Sequence, residues 1–174
     1  MRPLKTIYVG TAPGTRTRGV LRAGALVWPV ALGRGGIRAN KREGDGGTPR
    51  GTYRPVRLWW RADRSPRPAT GLPVRRITGL DAWCENPADR RYNQPIRVPA
   101  GKPGDRLRRE DHLYDLVVEI DHNTRPRVAG RGSAVFLHLA RPGLAPTAGC
   151  ITMPREQLRQ LLKNLGPRTR INIS

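Results

Sequence analysis

The chain has 174 residues and a formal net charge of +20, because 33 lysines and arginines outnumber 13 aspartates and glutamates. This length is typical of one domain of about 100–200 residues and allows a buried core without metal or disulfide staples. Two cysteines are too few for a zinc ribbon or a disulfide-rich scaffold. No segment reaches the about 18 consecutive apolar residues of a membrane span. We therefore expect a single folded domain over residues 1–174.

The positive charge suggests an anionic partner, and a nucleic acid or an acidic cell-wall polymer would both satisfy it. Of the 33 basic residues, 29 are arginines, which are spread from Arg2 to Arg170 without a run longer than two. Such an even spread does not define a binding groove. Arginines at positions 16, 18 and 22 also interrupt the apolar stretch that an export signal needs, so no export signal is visible.

The first part of the chain consists of short apolar runs separated by glycine and proline. Residues 6–9, 19–23 and 25–32 have strand length and composition, and Gly24 can turn the last two into a hairpin. The glycine-rich, charged stretch 33–51 predicts a long exposed loop. Residues 52–60 predict one strand, and residues 61–73, which hold three prolines, predict another loop.

The second part contains the strongest strand signals and one helix. Residues 116–120 and 133–139 are nearly continuous apolar runs, which are typical of strands buried on both faces. A helix is predicted after Pro154, and it ends at Gly166-Pro167. Its apolar face has the spacing i, i+3, i+4, i+7 at Leu158, Leu161, Leu162 and Leu165. Residues 170–173 predict a closing strand, so the pattern is mainly β with one amphipathic helix near the C-terminus.

Cys150 is the first candidate for chemistry, since it follows Gly149 between a proline-rich loop and a predicted strand. A catalytic cysteine reacts as the thiolate and needs a nearby base or positive field to lower its pKa from about 8.5. Gly149 permits close approach of a substrate carbonyl, and backbone N–H groups at such a turn can stabilise an oxyanion. The alternative is a small, buried, unreactive cysteine.

His138 stands at the end of a predicted strand, and eleven residues separate it from Cys150. The intervening loop is long enough to bring the two side chains together. A cysteine and a histidine within hydrogen-bond reach are the minimum for nucleophilic acyl transfer, with a third group that orients the ring. The alternative is a structural histidine bonded to a backbone carbonyl.

The remaining candidates are weaker. His112 and His122 each follow an aspartate and predict solvated or capping roles, and Cys84 beside Trp83 predicts a packed thiol. The three histidines and two cysteines lack the spacing of a zinc site, so no metal is expected. The segment Gly44-Asp45-Gly46-Gly47-Thr48-Pro49-Arg50-Gly51 lacks the phosphate-loop pattern and precedes a predicted strand rather than a helix.

Two segments together resemble the YkuD-like L,D-transpeptidase catalytic domain family. Residues 44–53 are similar to its early G-D-x-x-T-P-x-G-x-Y segment. Residues 133–138, followed by Thr147-Ala148-Gly149-Cys150-Ile151, are similar to its active-site signature of a histidine, a loop and [ST]-x-G-C. Residues 83–93 and 111–115, which include Tyr114, are similar to parts of the shorter branch of the family.

The resemblance implies a β-sandwich-like domain that acts on peptidoglycan stem peptides without a cofactor. Cys150 would attack the carbonyl of the diamino acid at stem position three and expel D-Ala, and the thioester would pass to an amine of another stem. His138 would be the general base, the Leu139 carbonyl would orient it, and the N–H groups of Gly149 and Cys150 would form the oxyanion hole. Carbapenem-type β-lactams would acylate Cys150, and the protein would act in the periplasm or cell envelope.

The chain departs from the family at positions that bind substrate. Ala148 stands where many relatives have histidine, and Thr152 stands where many have arginine. The arginine would bind a carboxylate, and Arg141 in the shortened loop could replace it. The resemblance thus implies a substrate site that includes Thr147, Arg141, Thr152 and Tyr114.

Two alternatives stay open at this stage. A hydrolase would give the same thioester to water and act as a carboxypeptidase of stem peptides. A basic nucleic-acid-binding module would bind through charge alone, with an affinity that falls steeply with salt. The sequence leaves the oligomeric state, the type of cross-link and the role of Cys84 open.

Overall fold

The computed structural model describes residues 2–174, which form fifteen strands and one α-helix. In chain order, strands β1 to β8 span Thr6–Thr11, Arg18–Ala23, Leu26–Ala31, Ile37–Arg38, Thr48–Pro49, Gly51–Tyr53, Pro55–Trp60 and Val74–Arg76. Strands β9 to β15 span Asp81–Trp83, Pro95–Arg97, Asp105–Arg106, Leu116–Ile120, Phe136–Leu139, Ile151–Met153 and Arg170–Ile173. A short 3-10 helix covers Pro142–Leu144, and α1 covers Arg155–Leu162. The fold is therefore mainly β with a single helix near the C-terminus, as predicted.

Ten strands form one curled sheet in the order β6-β15-β1-β2-β3-β14-β13-β12-β7-β8. Strands β6 and β7 lie near opposite ends of this order, yet Arg54 alone separates them along the chain. One residue spans only about 3.5 Å, so the two ends of the sheet must approach each other. The Arg54 N–H donates to Asp121 Oδ1 at 2.7 Å across this junction. The sheet thus wraps round one core as a β-sandwich does.

The main core fills the inside of the curled sheet and is covered by α1. Leu158, Leu161 and Leu162 of the helix are fully buried, and Leu165, just beyond its end, is buried with them. Burying a leucine side chain contributes about 1.5–3 kcal/mol, so this leucine face holds the helix on the sheet. The same buried cluster includes the strand residues Ile7, Leu21, Leu116, Leu137 and Ile171.

A second apolar cluster lies on the other face of β12 and β13. It combines Trp59, Val117 and Phe136 of the large sheet with Trp83 of the small sheet β10-β9-β11. The rings of Trp83 and Phe136 meet edge to face with centroids 4.9 Å apart. Cys150 packs against this cluster rather than against the main core. The candidate site therefore belongs to the small-sheet side of the molecule.

Most of the predicted strands are confirmed, but two predictions are wrong. Residues 52–60 form two strands instead of one, because the chain crosses from one edge of the sheet to the other at Arg54. The stretch 33–51 is not an exposed loop, since Gly46, Gly47 and Thr48 are buried and β4 pairs with β5 inside it. Glycines there allow close backbone contact, so their abundance indicated tight packing rather than exposure.

Candidate active site

Parallel pairing of β13 with β14 brings the two main candidates together. The register places Leu137 opposite Ile151 and His138 opposite Thr152, and Cys150 immediately precedes β14. Because side chains alternate along a strand, Leu137 and Ile151 face the main core while His138 and Thr152 face the other side. His138 and Cys150 line one cavity of about 300 Å³. The predicted loop closure between the two residues is therefore present.

The imidazole of His138 is buried and neutral. Its Nδ1 lies 3.0 Å from the Leu139 carbonyl oxygen, which can only accept, so Nδ1 carries the proton and Nε2 does not. Tyr114 meets the ring edge to face with centroids 5.0 Å apart. Burial lowers the pKa of His138 to about 4, and the positive charges of Arg109 and Arg141 act in the same direction. The ring is therefore a free base at neutral pH.

The thiol of Cys150 is held by two backbone groups. It donates to the Ala134 carbonyl oxygen at 3.2 Å, and the Phe136 N–H donates to Sγ at 3.3 Å. Burial raises the pKa of the thiol to about 12, and the carboxylates of Asp105 and Glu85 also raise it. The resting state is thus a neutral thiol beside a neutral imidazole. The expectation of a lowered thiol pKa is wrong for this state, because loss of hydration outweighs the Phe136 N–H hydrogen bond and the charge of Lys41, which both lower the pKa.

The turn that carries Cys150 is fixed by Thr147. The Thr147 hydroxyl donates to the Cys150 carbonyl oxygen at 2.6 Å and accepts the Gly149 N–H at 3.0 Å. Gly149 has φ of 144°, in a region that favours glycine. Thr147 lines the cavity, and its hydroxyl is used within the turn, where it holds the nucleophile in place. The Gly149 N–H is likewise occupied and is not a free oxyanion donor.

The segment around Thr48 packs directly beneath this turn. The Thr48 hydroxyl donates to the Gly149 carbonyl oxygen at 2.9 Å and accepts the Gly33 N–H at 2.9 Å. A Cβ on Gly149 would lie 2.8 Å from the Gly47 carbonyl oxygen, so only glycine fits. The early glycine-rich motif therefore supports the nucleophile turn, and the signal for this role was the sequence Gly47-Thr48-Pro49 itself.

The cavity that His138 and Cys150 share is basic at its mouth. Arg34, Arg109 and Arg141 line it, and Arg109 is held by a two-point ion pair with Asp111, at 2.8 and 2.6 Å. Within residues 2–174, Arg141 forms no ion pair with a carboxylate. Thr152 also lines the cavity and is 2% exposed, and its Oγ1 is buried without a hydrogen-bond partner. An arginine free to bind and an unsatisfied hydroxyl thus share one cavity.

A smaller, more acidic cavity of about 130 Å³ lies on the other side of the thiol. Glu43, Glu85 and Asp105 line it together with Cys150. Burial raises the pKa of Glu85 to about 7, with further contributions from Asp105 and Glu43. Tyr114 lines both cavities, and its hydroxyl donates to Asp105 Oδ2 at 3.2 Å. Tyr114 therefore contacts both cavities that reach Cys150.

The remaining candidates lie apart from the thiol. His112 is exposed, with Nε2 3.2 Å from the Ala140 carbonyl oxygen. His122 is buried, so the prediction that it is solvated is wrong. Cys84 is buried, as expected for a packed thiol. Over the described residues 2–174, no cluster of three or more histidine, cysteine or acidic side chains could hold a metal ion. Within the same residues, no helix is long and apolar enough to cross a bilayer.

Sequence reasoning missed several residues around the nucleophile. Ala134 and Phe136 contact the sulfur through backbone atoms, which carry no sequence signal. Asn93 binds the Ala134 N–H from a distant loop, and neither its type nor its spacing marked it. Lys41 lies next to the acidic cavity with Nζ 2.8 Å from Asp45 Oδ1. The only sequence signal near Lys41 was the glycine-rich stretch 33–51, which contains it.

Comparison with known proteins gives one clear finding. The sequence model of a family described as YkuD, L,D-transpeptidase catalytic domain, matches residues 8–173. No curated protein and no solved structure gives a significant match. The matched range includes every residue of both cavities.

Proposed function

Because the chain belongs to the YkuD family of L,D-transpeptidase catalytic domains, we propose that it is a cysteine acyltransferase that cross-links peptidoglycan stem peptides. The observation that carries the proposal is the cavity that Cys150 and His138, whose Nε2 is unprotonated, line together. Membership of this family implies that the substrate of the protein lies in the cell envelope. The proposed substrates are a donor stem ending in D-Ala and an acceptor stem with a free amine.

In the first half-reaction, the sulfur of Cys150 attacks the carbonyl carbon of the diamino acid at stem position three. His138 Nε2 takes the thiol proton as the carbon–sulfur bond forms, since both groups are neutral beforehand. The Leu139 carbonyl keeps Nδ1 protonated and stabilises the imidazolium that results. The imidazolium then gives its proton to the departing amine of D-Ala, and a thioester remains on Cys150.

In the second half-reaction, an amine of the acceptor stem attacks the thioester carbonyl. His138 accepts a proton from the attacking amine and returns it to the sulfur as the thioester bond breaks. The products are the cross-linked peptide and the original thiol, so no ATP or cofactor is consumed. We assign stabilisation of both tetrahedral oxyanions to the N–H of Cys150, since the Gly149 N–H is occupied by Thr147.

Arg141 and Thr152 are the proposed binding groups for the donor carboxylate. Arg141 has no carboxylate partner among residues 2–174, and a guanidinium can hold a carboxylate through two hydrogen bonds. The Thr152 hydroxyl supplies a buried donor in the same cavity. Together they would replace the arginine that relatives carry at the position of Thr152. Tyr114 would form the wall between the donor and acceptor approaches.

The test is incubation of the purified chain with isolated tetrapeptide muropeptides under reducing conditions. Release of D-Ala with formation of dimers is the expected result. Trimmed monomers without dimers would assign the protein as a hydrolase that gives the thioester to water. Unchanged muropeptides would contradict both assignments, and salt-dependent nucleic-acid binding unaffected by Cys150→Ala would then point to a basic binding module.

A further inference from the structure

Ala134, whose carbonyl oxygen accepts the Cys150 thiol proton, has an uncommon backbone conformation. Its φ is 52°, in the left-handed region, where the Cβ of a non-glycine residue crowds the backbone. Such a conformation persists only where the surroundings impose it. On the amide side, Asn93 Oδ1 accepts the Ala134 N–H at 3.2 Å.

The Asn93 amide is fixed from several directions. It is 4% exposed, and its Oδ1 also accepts the Trp83 Nε1–H at 3.0 Å. Its Nδ2 donates to the carbonyl oxygens of His122 and Asn123, each at 3.0 Å. A buried polar network whose members are all satisfied is rigid. Asn93 thus ties the small sheet and a distant turn to the residue that faces the sulfur.

The same network reaches the second backbone group on the sulfur. Trp83, bound by Asn93, packs edge to face against Phe136, and the Phe136 N–H donates to Cys150 Sγ. Tyr92, beside Asn93, accepts the Gly132 N–H at 3.0 Å and so anchors the same segment two residues upstream of Ala134. Asn93 itself lines neither cavity that contains the thiol, so any effect on the sulfur passes through Ala134 and Phe136.

We propose that Asn93 is a positioning residue of the acyl-transfer site, which holds Ala134 in its left-handed conformation and keeps the Ala134 carbonyl on the Cys150 thiol. The proposal rests on the proposed function for its effect on turnover, whereas its effect on the thiol is independent of any substrate. Without the amide, Ala134 relaxes toward an ordinary conformation and its carbonyl leaves the thiol. The protonated thiol then loses its hydrogen-bond acceptor, so its neutral form is stabilised less relative to the thiolate.

The variant Asn93→Gly removes the amide without new strain, because Asn93 has φ of 55°. Its matched control is Asn123→Gly, since Asn123 has φ of 52° and its amide bonds Val128 and Gly132 but not Ala134. Neither substitution changes the titratable and charged groups that line the two cavities with the thiol. These are His138, Tyr114, Asp105, Glu85, Glu43, Lys41, Arg34, Arg109 and Arg141.

The experiment follows alkylation of Cys150 by iodoacetamide between pH 7 and 11, with the label assigned by peptide mass mapping and folding checked by circular dichroism. Asn93→Gly is expected to lower the apparent pKa of Cys150 by at least one unit, which makes alkylation at pH 9 about tenfold faster. D-Ala release is expected to slow about tenfold. Asn123→Gly is expected to keep the pH profile of the unmodified chain.

An unchanged pH profile in folded Asn93→Gly, or an equal change in Asn123→Gly, would overturn the proposal. If Asn93→Gly does not fold, Ala134→Val serves instead, because a β-branched residue resists the left-handed conformation. The same downward pKa change is expected there, and its absence would equally reject the role. Failure of the unmodified chain to release D-Ala would contradict the proposed function and leave the alkylation result standing.

Discussion

His138 donates its Nδ1 proton to the carbonyl of Leu139, the next residue along the chain. The ring therefore gains its orienting partner from its own strand and needs no separate acidic side chain. Since a neutral carbonyl stabilises an imidazolium less than a carboxylate does, the arrangement favours a neutral ring at rest. This neutral pairing of thiol and imidazole determines most of the behaviour expected of the site.

Removal of either partner is expected to abolish acyl transfer while preserving the fold. Cys150→Ala should leave no measurable D-Ala release, and His138→Ala should lower it by about 10²–10⁴-fold, the usual contribution of a general base. Cys84→Ala is the matched control, because Cys84 is a buried thiol outside the shared cavity. Mass spectrometry of muropeptides measures the rates. Full activity of Cys150→Ala would reject the mechanism.

The rate of Cys150 acylation should rise with pH through the pKa of His138, near 4, and then stay level through neutral pH. Burial and the charges of Arg109 and Arg141 lower this pKa, so the base is already deprotonated at pH 6. Single-turnover acylation by a tetrapeptide, followed by intact mass between pH 3.5 and 8, measures the profile. Arg141→Gln should move the acidic limb to higher pH, because it removes a positive charge that lowers the pKa of His138. An acidic limb at 6.5 in the unmodified chain would contradict a buried base.

Thr152→Val is expected to weaken donor binding without harming the fold. The Thr152 hydroxyl has no partner in the unliganded protein, so its replacement by a methyl group removes an unsatisfied polar atom. The free energy of unfolding should stay equal or rise by up to about 1 kcal/mol. KM for the tetrapeptide should rise several-fold, with kcat little changed. A marked loss of stability would mean that the hydroxyl is already satisfied in the free protein.

Thr48→Val, like Thr152→Val, replaces a hydroxyl with a methyl group, but it is expected to lower the free energy of unfolding. The Thr48 hydroxyl bonds both Gly33 and Gly149, and the substitution leaves these buried groups unsatisfied. A loss of about 1–3 kcal/mol of unfolding free energy is expected for such a site. Urea denaturation measures it, and kcat should fall because the nucleophile turn rests on this contact. Unchanged stability would show that the support is not required.

The glycine-rich segment shows how far the sequence could predict the site. The types and spacing of His138 and Cys150 predicted a loop long enough to bring them together, and the parallel pairing of β13 with β14 places both residues on one cavity. The glycine-rich, charged composition of residues 33–51 wrongly predicted an exposed loop. Local composition cannot show which distant turn a loop will cover. The neutrality of the thiol was also invisible, because it depends on burial and on Asp105 and Glu85, which come from other parts of the chain.

Acidification should destabilise the fold partly through His122. Burial and the charge of Lys41 lower the pKa of His122 to about 4 from 6.5. Between these values the unfolded chain binds the extra proton, so stability is lost as the pH falls from 6.5 to 4. His138 adds to this loss, whereas Glu85, whose pKa is raised to about 7, opposes it. Each histidine accounts for at most about 1.4 kcal/mol per pH unit.

The variant His122→Asn isolates this contribution. The difference in unfolding free energy between the unmodified chain and the variant should shift in favour of the variant as the pH falls from 6.5 to 4. Guanidinium titrations at pH 7, 5.5 and 4.5 measure this difference. If it is the same at all three values, His122 does not titrate differently in the folded and unfolded states.

The high pKa of the Cys150 thiol also bears on how the nucleophile would survive in the cell envelope, the location that the proposed function implies. Peroxides and simple electrophiles react with the thiolate, and almost none is present when burial holds the sulfur protonated at neutral pH. Storing the nucleophile in an inert form, and activating it only during attack on a bound carbonyl, would spare it from oxidation between turnovers.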